Sequence, residues 1–306
     1  ESLIENQNTA FLSKKLGEII RNAPLDFTLE ELKVEEPDWD RLAKLYETLE
    51  FKSLLSKISS DKISKVEDST YKVKYKIIKE NNYEPIINEI KSEKSFCFKF
   101  LYENHIYVSS QILGIGIKVG NNTSYYIDYS ENDIEIFISK FKEYFESREI
   151  EKYGHMMKAD IVGLLRLNIN LKNMIFDTMI GSYLLNPASM SYSINELGKE
   201  YLNIYGVDEE ELLGKGKNKK SYKDLSIEDK AEYISMTLDL IYKVKEPIKD
   251  NLNQQEMTQL YYDVELPLVE VLADMEFNGF KVDLDVLNQL GDEFQKEIDN
   301  LTKEIY

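Results

Sequence analysis

The spacing of apolar residues predicts helices near both ends of the chain. Apolar positions at helical spacing predict one helix within residues 1–22, which Pro24 ends, and a second helix after Pro37. Residues 59–70 are polar and predict a linker.

The central part of the chain predicts strands followed by helices. Apolar residues alternate with lysines from Tyr71 to Ile77, which predicts a half-exposed strand. Further strands are predicted at 96–101, 112–119, 124–129 and 174–176, with a hairpin turn beginning at Gly120. Helices are predicted at 133–145, 159–165, 177–185, 194–201 and 226–245. This order favours an α/β fold with a mixed sheet flanked by helices.

Two more helices are predicted after a boundary that Pro247 and the polar residues 249–256 indicate. Their apolar stripes are Leu260, Val264, Leu268, Val271 and Met275 in the first, and Leu287, Leu290, Phe294, Ile298, Leu301 and Ile305 in the second. Asn278-Gly279 lets the chain reverse between them, so we expect the stripes to pack against one another and against the preceding domain. We expect the end of the second helix, around 294–305, to be partly uncovered and either paired with a second copy or poorly ordered.

Composition and charge narrow the functional classes. The chain has 306 residues, about two average domains, and 38 Lys and Arg against 56 Asp and Glu give a net charge of −18. This charge excludes a protein that coats nucleic acid nonspecifically, because such binding depends on neutralising phosphates. The single Cys97 excludes a disulfide within the chain and predicts a buried thiol. No apolar run approaches the roughly 18 residues that cross a membrane, so we expect a cytoplasmic protein without a membrane partner.

Two further features are weak as functional signals. The basic stretch from Gly214 to Lys220 predicts a solvated flexible loop, with contact to a phosphate backbone as the alternative. His105 and His155 have no cysteine near them, which argues against a zinc site. The chain does not begin with methionine and its helical pattern continues to the last residues, so we expect a piece of a longer protein.

Three groups of residues occur in a fixed order: Ala23-Pro24-Leu25-Asp26 with Leu49-Glu50-Phe51, then Phe176-Asp177-Thr178-Met179 with residues 182–187, and last Glu265-Leu266-Pro267-Leu268 with Val282-Asp283. In this order they resemble the segment after the 5′ nuclease, the middle of the 3′-5′ exonuclease domain and the start of the polymerase domain in bacterial DNA polymerase I, the family A enzymes. The resemblance implies a ribonuclease-H-like 3′-5′ exonuclease fold with helical N- and C-terminal extensions. It also implies a helical connector at 1–67, the exonuclease-like domain at 68–250 and the start of the polymerase domain, including the base of the thumb, at 251–306.

The same resemblance locates the positions at which active exonucleases of the family hold two metal ions with converging carboxylates. The first motif, Asp-x-Glu, falls on Lys99 and Leu101, and the second, Asn-x-x-x-Asp, keeps only Asp160. The third, Tyr-x-x-x-Asp, falls on 229–233, with Tyr233 in place of the acid. A cation and a hydrocarbon do not bind Mg²⁺. We therefore expect no catalytic residue, metal or cofactor in this piece, whereas the parent polymerase would use Mg²⁺.

The remaining acids leave alternatives open. Asp229 could only replace the acid of the third motif from one helical turn away, about 5.4 Å, and metal ligands tolerate shifts of only about 0.2 Å. Asp160 is either the partner of Lys99 or a solvated acid at a helix start. Asp177 is expected to be a helix N-cap rather than a ligand.

The leading hypothesis is a catalytically inactive, exonuclease-like structural domain from a polymerase that performs template-directed DNA synthesis in replication and repair. An active metal-dependent 3′-5′ exonuclease with rearranged ligands is one alternative, and Mg²⁺-stimulated release of nucleotides from a 3′ end would favour it. A stand-alone interaction module is the other. The expected partners are the remainder of the polymerase chain and, through it, DNA, which this piece alone is expected to bind weakly because of its charge.

Overall fold

The computed structural model describes the following residues: 6–19, 24, 33, 36–49, 51, 54, 58, 71–204, 206–207, 209–214, 216 and 219–306. The chain divides into two compact units, 1–69 and 70–306. The first unit contains helices α1 (Gln7–Leu16) and α2 (Trp39–Thr48), which lie where the sequence predicts helices. The predicted linker at 59–70 lies outside the described residues.

A mixed sheet forms the centre of the second unit, as predicted, and its six strands within the described ranges follow the order β1-β4-β3-β2-β5-β6. The strands are β1 (Tyr75–Ile78), β2 (Ser95–Tyr102), β3 (Ile112–Lys118), β4 (Ser124–Asp128), β5 (Glu151–Gly154) and β6 (Met174–Asp177). The pairs β2–β3 and β3–β4 are antiparallel. The pairs β1–β4, β2–β5 and β5–β6 are parallel.

Helices cover both faces of this sheet, and the last helix of the chain follows without packing on it. They are α3 (Glu84–Glu93), α4 (Ile134–Glu146), α5 (Met157–Arg166), α6 (Thr178–Leu185), α7 (Ile194–Leu202), α8 (Glu209–Leu213), α9 (Ile227–Gln254), α10 (Thr258–Leu260), α11 (Leu266–Asn278) and α12 (Leu284–Ile305). A π-helical turn, Tyr261–Glu265, joins α10 to α11. None of the helices in the described part of the chain combines the length and apolar character needed to cross a bilayer.

Strand β2 shows why two apolar cores form. Phe96, Phe98 and Phe100 lie in the core that contains α3, α4 and α5, whereas Cys97 and Leu101 lie in the core that contains α9. Successive side chains of a strand point to opposite faces, so an apolar run that only Lys99 interrupts fits a strand that helices cover on both sides. Cys97 is fully buried and free, as the sequence predicts.

Two elements of the second unit, helix α3 and strand β5, were not predicted from the sequence. Helix α3 buries only Ile86 and Ile90, and it begins at a proline-containing turn between two strands. Strand β5 carries Lys152, which is fully buried and donates hydrogen bonds to the carbonyls of Ser147 and Ile150. Because a charged residue stands at a buried position, β5 lacks the apolar pattern from which a strand is predicted. The first strand also begins at Tyr75 rather than at Tyr71.

The predicted end of helix α9 near Lys245 is wrong, whereas its observed end lies within the polar residues 249–256. Helix α9 runs through Pro247 to Gln254. Val244, Ile248 and Leu252 are buried on both sides of it, so packing on the sheet holds the helix together where proline removes one backbone hydrogen bond.

The packing expected of the two C-terminal stripes is also wrong. On the first of these helices, Tyr261, Leu266, Val269 and Ala273 are buried, while the stripe expected to pack is exposed. This helix has apolar residues on more than one side. The side that packs on α5 is the one that carries the small residue Ala273. Helix α12 buries no side chain.

The ends of these helices agree with the sequence. Gly279 adopts a positive φ of 62° and ends α11, and the Asp283 carboxylate accepts hydrogen bonds from the first turn of α12. Phe294, Leu301 and Ile305 are 63%, 48% and 75% exposed. The end of α12 is therefore uncovered, as expected, in a helix that the structure describes to Ile305. Pairing with a second copy stays a prediction.

Candidate functional site

The structure brings Lys99 and Asp160 into direct contact. The Nζ atom of Lys99 lies 2.8 Å from Oδ2 of Asp160 and donates a second hydrogen bond, of 3.0 Å, to the carbonyl of His155. The other carboxylate oxygen of Asp160 accepts the backbone N–H of Phe100 at 2.9 Å. Strand β5 ends at Gly154, so the Asp160 carboxylate takes the place of a strand partner for this part of β2.

The burial of this pair decides between the two expectations for Asp160. Asp160 is fully buried, and the Lys99 side chain is 18% exposed. Asp160 is therefore the partner of Lys99 and not a solvated acid. Burial raises the pKa of Asp160 to about 6, while the Lys99 ammonium and the Phe100 N–H oppose this rise. The carboxylate is thus mainly charged at neutral pH.

Leu101 and Tyr233 occupy apolar surroundings. Leu101 is 3% exposed and lies in the core that contains Ile234 of α9. Tyr233 packs against the same core, and its hydroxyl lies 3.2 Å from the hydroxyl of Tyr222. Asp229 is exposed, and its backbone N–H donates a hydrogen bond to Ser226 in the first turn of α9. That it does not replace the missing acid stays a prediction.

Asp177 is the N-cap of α6, as predicted. Its carboxylate accepts the backbone N–H groups of Met179 at 2.9 Å and Ile180 at 3.4 Å. It also accepts those of Met156 at 3.2 Å and Met157 at 2.7 Å, which the sequence did not indicate. Burial raises the pKa of Asp177, and these N–H groups oppose the rise. The carboxylate joins the start of α5 to the start of α6, and its oxygens are committed to the backbone.

His155 belongs to the same site, although sequence reasoning gave it no role. It is 4% exposed, and its Nδ1 lies 2.9 Å from Oγ1 of Thr178. Burial, together with the nearby Lys99 ammonium, lowers the pKa of His155 to about 3. The imidazole is therefore neutral at physiological pH. His155 directly follows β5. If β5 had been recognised in the sequence, the position of His155 at the end of a strand would have indicated a site residue.

Two other buried ion pairs also escaped sequence analysis. Lys230 of α9 lies 3.0 Å from Asp128, and Lys118 lies 3.1 Å from Asp239. The first pair joins residues 102 positions apart in the chain, so no local motif could reveal it.

These residues do not fit a pair of metal ions. In the described part of the chain, no group of three or more His, Cys, Asp and Glu side chains is placed to hold a metal ion. An ammonium lies against Asp160, and backbone N–H groups use the oxygens of Asp177. Among the described residues, the arrangement does not supply the converging carboxylates that two-metal hydrolysis requires.

Comparison with known proteins gives concordant results. Residues 98–244 match the family described as DNA polymerase I, ribonuclease H-like domain. DNA polymerase I of Bacillus subtilis is 26% identical over 308 residues, covering 100% of this chain and 33% of the relative. DNA polymerase I of Streptococcus pneumoniae serotype 4 is 29% identical over 310 residues, with the same coverage of 100% and 33%. The chain thus spans about a third of the length of these relatives.

Solved structures share the fold. The POL domain of Pol1 from M. smegmatis, in complex with DNA primer-template and dNTP, superposes with a TM-score of 0.57 and 19% identity, over 69% of this chain and 34% of that chain. Escherichia coli RNase D, an exoribonuclease involved in structured RNA processing, gives a TM-score of 0.53 and 14% identity, over 66% and 51% of the two chains. These similarities confirm the ribonuclease-H-like fold predicted from the sequence.

Proposed function

Since this chain is a relative of bacterial DNA polymerase I over its whole length and carries the ribonuclease H-like domain of that family, we propose that it is a structural part of such a polymerase in which the exonuclease site is inactive. The parent would perform template-directed DNA synthesis in replication and repair, with Mg²⁺ bound outside this piece. Its partners would be the rest of the polymerase chain and, through it, DNA.

One observation carries the proposal: the Lys99 ammonium lies 2.8 Å from the buried Asp160 carboxylate. In an active site of this class, a divalent cation would neutralise such a carboxylate. Here a covalently attached monovalent cation does so, and it cannot polarise a phosphate or generate hydroxide as a metal does. The remaining positions that the family uses hold Leu101 and Tyr233, which are packed among apolar side chains.

The structural role is supported by the contacts of the helices that follow α9. The Tyr261 hydroxyl accepts a hydrogen bond from the backbone N–H of Asp177 at 2.7 Å and donates one to its carbonyl at 3.0 Å. Lys158 of α5 lies 2.6 Å from Glu276 of α11. These contacts attach α10 and α11 to the exonuclease-like domain. The exposed apolar side chains of α11 would pack against other parts of the polymerase.

The proposal is tested by placing one acid back into the site. In Lys99→Asp, two carboxylates would face each other beside the apolar Leu101, and their repulsion would raise the pKa of one of them. We expect calorimetric titration with Mn²⁺ to give no more binding than the control Lys140→Asp, which makes the same charge change at an exposed lysine of α4. Tight Mn²⁺ binding to Lys99→Asp alone would show that a nearly complete metal site is present and would overturn the proposal.

A further inference from the structure

A groove rich in lysine lies at the β1 edge of the sheet, in a chain that is strongly acidic overall. Its volume is about 470 Å³. Five lysines face two carboxylates among its lining residues, which leaves a local excess of positive charge. The charged residues that line it are Lys72, Lys74, Lys76, Lys118, Lys243, Glu89 and Asp239.

Three of these lysines form a row. Lys72, Lys74 and Lys76 are exposed, whereas the residues between them are half-buried, so the three side chains share one side of an extended segment. At about 3.3 Å per residue, neighbouring lysines of the row are roughly 6.6 Å apart and the row is roughly 13 Å long. No carboxylate lies within ion-pair distance of these three ammonium groups among the described residues.

The Asp239 carboxylate in the groove is already paired with two lysines. Asp239 lies 3.1 Å from Nζ of Lys118 and 3.0 Å from Nζ of Lys243, and the Tyr71 hydroxyl donates to it. The Lys118 side chain is only 3% exposed, so this cluster is fixed before any ligand arrives. Asp239 is therefore paired within this cluster, which keeps a net positive charge of its own.

We propose that this groove binds the phosphate backbone of single-stranded nucleic acid, with Lys72, Lys74 and Lys76 contacting successive phosphates. A linear row of cations fits a linear polyanion better than it fits a compact anion. A nucleic acid backbone carries one charge per nucleotide, about 3.4 Å apart along each strand of a duplex and farther apart when a single strand is extended.

A single strand fits this surface better than an acidic peptide does. In an extended peptide, successive side chains point to opposite sides, so only every second carboxylate could meet the lysine row. The residues between the lysines, Val73 and Tyr75, are half-buried and uncharged, so they offer no cation to the remaining carboxylates. The strand order places β2 and Lys99 three strands away from β1, about 14 Å, so the groove is separate from the exonuclease-like site.

The test is fluorescence anisotropy of a labelled oligothymidylate with the intact chain, measured over a series of salt concentrations. The variant is Lys72→Gln/Lys74→Gln/Lys76→Gln. The matched control is Lys140→Gln/Lys281→Gln/Lys296→Gln, which removes three exposed lysines elsewhere. All six side chains are exposed, so both variants should keep the thermal unfolding of the parent chain.

We expect the groove variant to weaken binding by at least about tenfold and to make the slope of log K against log salt less negative by about 2, since each phosphate contact on a single strand contributes about 0.7. The control should change binding by less than about twofold, apart from the small effect of net charge. Equal loss in both variants, or no measurable binding at low salt, would overturn the proposal. So would an oligoglutamate that binds with the same dependence on the three lysines while oligothymidylate does not, because the partner would then be an acidic protein segment.

Discussion

At the scale of single residues, the buried ion pair of Lys99 and Asp160 is the central feature of the candidate site. A lysine and an aspartate taken out of water together contribute little net stability, because the loss of hydration offsets their attraction. Removing one partner is different, because it leaves the other charge buried without compensation. We therefore expect Lys99 to stabilise the fold by compensating the buried charge of Asp160.

This asymmetry gives a prediction for a double-mutant cycle. Lys99→Met leaves the Asp160 carboxylate buried without its cation, so we expect a loss of about 3–5 kcal/mol in the free energy of unfolding. Lys99→Met/Asp160→Asn removes both charges, and an amide oxygen can still accept the Phe100 N–H, so it should recover most of that loss. Urea denaturation measures both. A loss below about 1 kcal/mol in Lys99→Met would show that the pair does not carry this role.

His155 predicts a pH dependence of stability. Its pKa is lowered to about 3 in the folded chain, whereas an unfolded histidine titrates near 6.5, so the unfolded state binds more protons between these values. Stability from this group is complete above about pH 6.5 and is lost as the pH falls toward 3. The raised pKa of Asp160, about 6, acts in the opposite direction as its carboxylate takes up a proton in the folded state.

The difference between His155→Gln and the parent chain isolates the histidine. We expect the variant to gain relative stability by about 1 kcal/mol for each pH unit below 6, measured by urea denaturation from pH 6 to pH 4. His105→Gln is the control, because the His105 side chain is 70% exposed. A pH-independent difference for His155→Gln would mean that the buried imidazole is charged or solvated.

At the scale of elements, Tyr261 fastens the helical segment after α9 to the end of β6. Tyr261→Phe removes both hydrogen bonds to Asp177 and leaves its buried N–H without that acceptor, so we expect a loss of about 1–3 kcal/mol in unfolding free energy. Hydrogen exchange should rise in α11 at the same time. Tyr262→Phe is the control, since Tyr262 is only half-buried. Equal effects of the two variants would refute the role of Tyr261.

The elements also show what the sequence can predict. Strands β2, β3 and β4 are recognisable because largely apolar runs between turn residues favour strands, and the cap Asp177 is a local hydrogen-bond motif. Strand β5 is not recognisable, because its buried Lys152 depends on carbonyls that only the folded chain brings near. The buried side of α11 is not predictable either, because an apolar helix offers several sides and its neighbour selects one.

In the candidate site, too, some features are visible in the sequence and others arise only from tertiary contacts. The positions of Lys99, Leu101, Asp160 and Tyr233 came from a resemblance in sequence. The contact between Lys99 and Asp160 was left open, because the two lie 61 residues apart and only the end of β5 brings α5 against β2. His155 had no pattern of its own.

At the scale of the whole molecule, α11 and α12 carry exposed apolar faces. Val271, Met275, Phe294 and Ile298 are each more than half exposed. In the proposed parent, further chain would cover these faces. In the isolated chain, water contact makes association between copies favourable.

We expect concentration-dependent self-association in sedimentation velocity, and Phe294→Glu/Leu301→Glu should abolish it without lowering thermal stability, because both side chains are exposed. Asn300→Glu/Thr302→Glu adds the same charge near the end of α12 on exposed polar positions and should leave association unchanged. A parent chain that stays monomeric at every concentration would contradict the prediction.

The central claim is that the exonuclease-like domain has no nuclease activity. The most direct measurement is the release of nucleotides from the 3′ end of single-stranded DNA by the unaltered chain, with Mg²⁺ and separately with Mn²⁺, beside Asp160→Ala prepared in the same way. We predict no release above the level of the Asp160→Ala sample with either metal ion, because Lys99, Leu101 and Tyr233 stand where the metal-binding acids of active relatives would be. Metal-dependent release that the unaltered chain shows and Asp160→Ala lacks would contradict the claim.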